Sequence, residues 1–74
     1  MSRTLVSIQP GESARVASVG GEAGAARRLM DLGLIRGTPI RVVRVAPLGD
    51  PIEVSVRGFM LSLRRAEAEH VVVD

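Results

Sequence analysis

The only imidazole in this 74-residue chain is His70, and Glu67 and Glu69 stand just before it. Imidazole and carboxylate together suit divalent ions such as Zn(II) or Fe(II). Glu67, Glu69 and His70 are therefore the candidates for a weak surface metal site, most readily one completed by a second chain. The blander reading, a solvated or structural His at a helix end, is preferred. The chain has no Cys, so it has no disulfide framework, no cysteine nucleophile and no thiolate zinc centre. Hydroxyl nucleophiles exist, but His70 alone could activate them. Glu67 and Glu69 fall on different faces of a helical turn, which argues against a carboxylate pair for acid–base work. Gly20-Gly21-Glu22-Ala23-Gly24 lacks the spacing and the Lys of a phosphate-binding loop and reads as a tight strand-to-helix turn. The chain is read as no enzyme, with no cofactor beyond that weak divalent metal.

Charge points to partners with equal economy. All ten basic residues are Arg, set against eight acids for a formal net charge of +2. The arginines are interleaved with acids along the chain, and Phe59 is the only aromatic ring. Proteins that hold single-stranded nucleic acid stack bases on several rings, so no nucleic acid is expected. The longest strictly apolar runs, Phe59-Met60-Leu61 and Val71-Val72-Val73, fall far short of the roughly twenty residues of a spanning helix. No apolar segment of the secretion-signal kind is visible, and the expected location is cytoplasmic without membrane insertion. One loop differs in kind. In Ala46-Pro47-Leu48-Gly49-Asp50-Pro51 two prolines stiffen the chain and Gly49-Asp50 shapes a turn. Leu48 at its tip is either an exposed partner anchor or a plug folded back on the domain.

These residues need elements to position them, and the turn signals are short and even. Pro10-Gly11, Gly20-Gly21, Gly33, Gly37, Pro47, Gly49, Pro51 and Gly58 divide the chain into short segments, as in a small all-β domain. Ile52–Arg57 and Phe59–Arg64 both alternate. A two-residue turn at Arg57-Gly58 pairs Val56 with Phe59, Val54 with Leu61 and Ile52 with Leu63, placing every apolar residue on one face. Ile40–Val45 changes phase midway, and a bulge near Val42-Val43 would restore a single inward face while bending the strand. Ala14–Val19 reads as a strand and Val71–Val73 as a closing one. Glu22–Leu32 reads as a helix whose buried stripe is Ala25, Leu29 and Leu32, flanked by Ala26 and Met30. Gly33 suits the left-handed residue that ends it, with Leu34 folding back on Leu29. Arg64–His70 forms one helical turn with Arg65 and Glu69 at i,i+4. Gly33, Gly37 and Gly58 are the structural turns.

The sum is mainly β: about five short strands, one inserted α-helix and a short terminal helical turn. It fits a small SH3-like, partly open β-barrel forming one domain over residues 1–74.

Two blocks are distinctive, Arg28-Leu29-Met30-Asp31-Leu32-Gly33-Leu34-Ile35-Arg36-Gly37-Thr38 and Ala46–Pro51, followed in order by Val56-Arg57-Gly58 and Leu61–Ala68. With them the chain resembles the FeoA family over roughly residues 4–73. The resemblance implies an SH3-like barrel with an inserted helix. It also implies a small cytoplasmic accessory of ferrous iron uptake that binds the membrane GTPase transporter FeoB and modulates its activity or assembly. A free-standing regulatory module that binds a transition metal, like the SH3-like domain of metal-dependent repressors, is the alternative. The docking residues expected on this reading are Arg27, Arg28 and Asp31 on the helix and Pro47, Leu48, Gly49, Asp50 and Pro51 in the stiff loop.

Overall fold

The computed structural model describes residues 3–74; Met1 and Ser2 of the expected 1–74 domain lie outside the described residues. In chain order the elements are β1 (Arg3–Thr4), a 3-10 turn (Leu5–Ser7), β2 (Ser13–Val19), α1 (Ala23–Asp31), β3 (Pro39–Val45), β4 (Ile52–Val56), β5 (Phe59–Leu63), α2 (Arg65–Ala68) and β6 (Val71–Val73). The strands form one antiparallel sheet in the order β1-β6-β2-β3-β4-β5. The sheet is open, so β1 and β5 are its two edges. The fold is mainly β and SH3-like, with six strands where the pattern suggested about five. The added strand is β1, which pairs Arg3 with Val73 and Thr4 with Val72. Two residues cannot display an alternating pattern, so composition carries no sign of it.

The hairpin of β4 and β5 has the expected register, with Val56 opposite Phe59, Val54 opposite Leu61 and Ile52 opposite Leu63. Its turn takes positive φ at both Arg57 (52°) and Gly58 (81°). That is the primed turn whose twist matches the flanking strands. The inward face fills unevenly. Ile52, Val54, Val56 and Leu63 are buried, Leu61 is half-buried, and Phe59 at the far end is 70% exposed. Strand β3 bulges where its phase changes, because its pairing with β4 shifts register between Val42 and Arg44. Val43 is the extra residue and lies out in solvent, while Ile40 and Val42 point into the core. A second shift falls between Val16 and Ser18, where β2 pairs with β6.

Helix α1 ends as its sequence predicts but buries a different stripe. The Leu34 N–H donates to the Leu29 carbonyl at 3.0 Å and the Gly33 N–H to the Met30 carbonyl at 3.0 Å, the paired bonds of a Schellman stop. Gly33 has φ of 105°. The buried helix residues are Ala26 and Leu29, whereas Ala25 is exposed and Met30 and Leu32 are each 43% exposed. The expected Ala25–Leu29–Leu32 stripe is thus corrected to Ala26–Leu29–Leu34. The reason is the stop itself: the left-handed Gly33 reverses the chain, and Leu34 fills the core position that a continuing helix would have given to Leu32. Leu29 and Leu34 join Leu5, Val16, Ile40 and the β4 valines in one continuous aliphatic core.

An added methyl at Gly33 would meet no atom closer than 3.7 Å, so Gly33→Ala tests backbone strain alone. It is expected to cost ~1–2 kcal/mol, read as a drop in melting temperature of about 4–8 °C per kcal/mol in a domain of this size.

Candidate partner-docking surface

The loop between β3 and β4 is tied at its base. The Ala46 N–H donates to the Pro51 carbonyl at 3.1 Å, and the Gly49 N–H donates to the Ala46 carbonyl at 2.7 Å. These bonds and the two prolines hold the tip rigidly, and Leu48 stands 94% exposed upon it. The plug alternative is set aside by that exposure. Pro47 and Asp50 are exposed, and Gly49 and Pro51 half-buried.

What fixes the loop in place is α2. The Asp50 Oδ1 accepts the Arg65 N–H at 3.1 Å, which satisfies one of the free donors at the start of a helix. The Arg65 guanidinium lies beside Gly49, 3.2 Å from where a β-carbon there would sit. Larger residues at 49 would push it away. On the opposite side α2 holds α1, because Arg28 and Glu67 form an ion pair and hydrogen bond. The second oxygen of Glu67, Oε1, accepts the Arg64 N–H at 3.0 Å. Arg27, Arg28 and Asp31 are exposed on α1. One helical turn therefore tethers the docking residues expected on the helix and those expected on the loop. The sequence reading missed α2 as their bracket. It paired Arg65 with Glu69, but the ion pairs among the described residues are Arg3–Glu12, Arg28–Glu67 and Arg44–Glu53. Arg65 instead serves the loop, and Glu69 stays exposed.

The three metal candidates are placed differently from one another. Both carboxylate oxygens of Glu67 already have partners. The His70 ring packs against Gly21, 3.1 Å from where a β-carbon there would lie, and the His70 carbonyl accepts the Gly20 N–H at 2.8 Å. Gly21 has φ of 91°, so backbone conformation and ring contact both call for glycine at this strand-to-helix turn. A cleft of about 240 Å³ between α1 and α2 is lined by Glu22, Glu67 and His70 together with small and apolar residues. Glu22 is the neighbour that sequence reasoning did not bring to this spot. Among the described residues no three His, Asp or Glu side chains are grouped so as to hold a metal ion, and no helix is long and apolar enough to cross a membrane.

A curled, open antiparallel sheet with a helix inserted after its second strand and a helical turn before its last defines a small SH3-like domain. Residues 3–74 match the FeoA domain model, and the chain belongs to the FeoA family, which serves ferrous iron transport. It is similar to FeoA from Chlorobium tepidum at 51% identity, covering 96% of this chain and 68% of that one with a TM-score of 0.90. It is also similar to Stenotrophomonas maltophilia FeoA, a prokaryotic SH3 domain protein whose crystal structure is a complex with zinc. That match has 38% identity and a TM-score of 0.86 and covers 97% and 89% of the two chains. Over 70 residues it is 31% identical to an Fe(2+) transport protein A/Fe(2+) transporter FeoB fusion protein from Porphyromonas gingivalis. The match takes in 95% of this chain and 8% of the fusion protein's length.

If α2 is the bracket, Asp50→Ala should cost ~0.5–2 kcal/mol, as loss of a helix-start acceptor does. Arg28→Ala, at a pair whose arginine side chain is 53% exposed, should cost less than ~1 kcal/mol. Thermal denaturation of both variants and the wild type checks the order.

Proposed function

We propose that this chain is a small cytoplasmic accessory protein of ferrous iron uptake, without catalysis of its own. It docks on a FeoB-type membrane transporter and biases the transporter's activity or assembly. The observation that carries this reading is the relative in which an FeoA-like segment and FeoB are one polypeptide. Covalent linkage keeps two modules at high effective concentration, which is useful where they must meet. The docking surface is the one that α2 assembles: Arg27, Arg28 and Asp31 on α1, and the Pro47–Pro51 loop with Leu48 at its tip. A stiff loop presenting an aliphatic side chain loses little entropy on binding, and the surrounding charges set orientation and encounter rate. Docking changes the transporter's behaviour only to the extent that two of its states bind this surface unequally.

The test is FeoB-dependent Fe(II) uptake, with a pull-down of the transporter, using Leu48→Glu. Leu48 makes no buried contact, so the variant should melt like wild type, yet transporter recovery and uptake should both fall at least ~10-fold. Unchanged uptake in a folded variant contradicts the loop's role. GTP turnover by the transporter with and without the chain then separates a regulator of hydrolysis from an assembly factor.

A second reading, a regulatory module that takes up a transition metal, is favoured by the zinc complex of the Stenotrophomonas relative. Calorimetric titration with Zn(II) and Fe(II) decides it. Stoichiometric binding at micromolar metal supports the module, and absence of heat supports the adaptor alone.

A further inference from the structure

The two edges of the sheet are managed very differently. Edge strand β1 is two residues long and carries Arg3. Edge strand β5 runs for five residues, Phe59-Met60-Leu61-Ser62-Leu63, with no charge, no proline and no break in its register with β4. Proteins ordinarily protect such an edge with charge, proline, bulges or a covering segment. The hydrogen-bond phase follows from the two-residue turn. The flanking residues Val56 and Phe59 form a bonded pair, so Phe59, Leu61 and Leu63 direct their backbone groups to β4. Met60 and Ser62 direct theirs outward. No backbone hydrogen bond in the turns and loops of the described residues reaches Met60 or Ser62. Beside this row of free donors and acceptors, Phe59 is 70% and Met60 56% exposed.

The geometry points to β5 as an acceptor edge for an added strand, supplied by an extended segment of the FeoB-type transporter. This rests on the reading that the chain docks on such a transporter, and it names a second point of contact. The segment's backbone pairs with Met60 and Ser62. Its alternate side chains are apolar on the core side, where they cover Phe59 and Leu61. Its ends are acidic, because exposed Arg57 and Arg64 bracket the strand and neither is engaged by a carboxylate among the described ion pairs. The same charges oppose a second copy of this chain. A two-fold axis at Leu61 sets Arg57 of one copy opposite Arg65 of the other, and an axis at Met60 leaves Arg57 one residue from Arg64. Main-chain pairing gives affinity in this mode of recognition, and the alternate side chains give selectivity.

Amide exchange by NMR tests the inference on the full chain, free and bound to full-length FeoB in lipid nanodiscs. The Met60 and Ser62 amides should exchange fast in the free chain and at least ~10-fold more slowly in the complex, as hydrogen-bonded amides do. Met60→Pro removes an outward donor and leaves the β4 pairing intact, since proline is tolerated on an edge. It should weaken binding at least ~10-fold while Met60→Ala binds as wild type, and Ser62→Pro replaces it if it fails to fold. A complex in which both amides still exchange fast overturns the edge and leaves the docking reading standing. Absence of any complex with the wild type overturns both. A dimer of the free chain abolished by the proline variant overturns the transporter assignment in favour of a second copy.

Discussion

A single sheet has two faces, and among the described residues one helix of any length, α1, is there to cover them. Everything else in the structure follows from curling the sheet so that one face encloses the core. The two register shifts, at Val43 in β3 and between Val16 and Ser18 in β2, lie on neighbouring central strands. A bulge adds local twist and bend where it falls, and bends on adjacent strands reinforce one another. The inside of the curl is small, which explains the composition. Valine, leucine, isoleucine and alanine fill it, and the single ring, Phe59, stays at the rim.

Curling leaves the sheet open between its edges β1 and β5, and α2 carries the chain from edge strand β5 to β6, the strand next to β1. Four residues of helix have little stability of their own, so α2 is held by what it touches. Asp50 takes its first N–H, Arg28 its Glu67, and Ala68 is fully buried beneath it. The same contacts work in reverse, since the loop and α1 gain fixed positions by gripping α2. The element that closes the domain is thus also the element that composes its outward surface. Sequence change in α2 should reach the loop tip without touching it.

Much of this is legible in the amino-acid order. The β4–β5 register follows from alternation on both sides of Arg57-Gly58, since a one-residue slip would turn a strand inside out. The bulge follows from the phase change at Val42-Val43, and the helix stop from Gly33 followed by Leu34. The stripe of α1 is harder to read because a helix and its stop compete for the same core position, and periodicity alone cannot tell Leu32 from Leu34. The tethers are less legible still. Arg28 and Glu67 are 39 positions apart, and Asp50 and Arg65 are 15 apart. Ten arginines and eight acids permit too many such pairs for sequence to choose among them. A three-dimensional surface, whose parts come from distant segments, becomes visible only once the sheet has curled.

The central claim is that the surface assembled by α2, with the β5 edge as a second point of contact, meets the transporter. Mapping of backbone amide perturbations on the labelled chain, titrated with full-length FeoB in lipid nanodiscs, tests this most directly. The account predicts selective perturbation of α1, residues 46–51, α2 and β5, with β2 and the outer face of β3 silent. Perturbation centred on β2 and β3, or spread evenly over the chain, would contradict it.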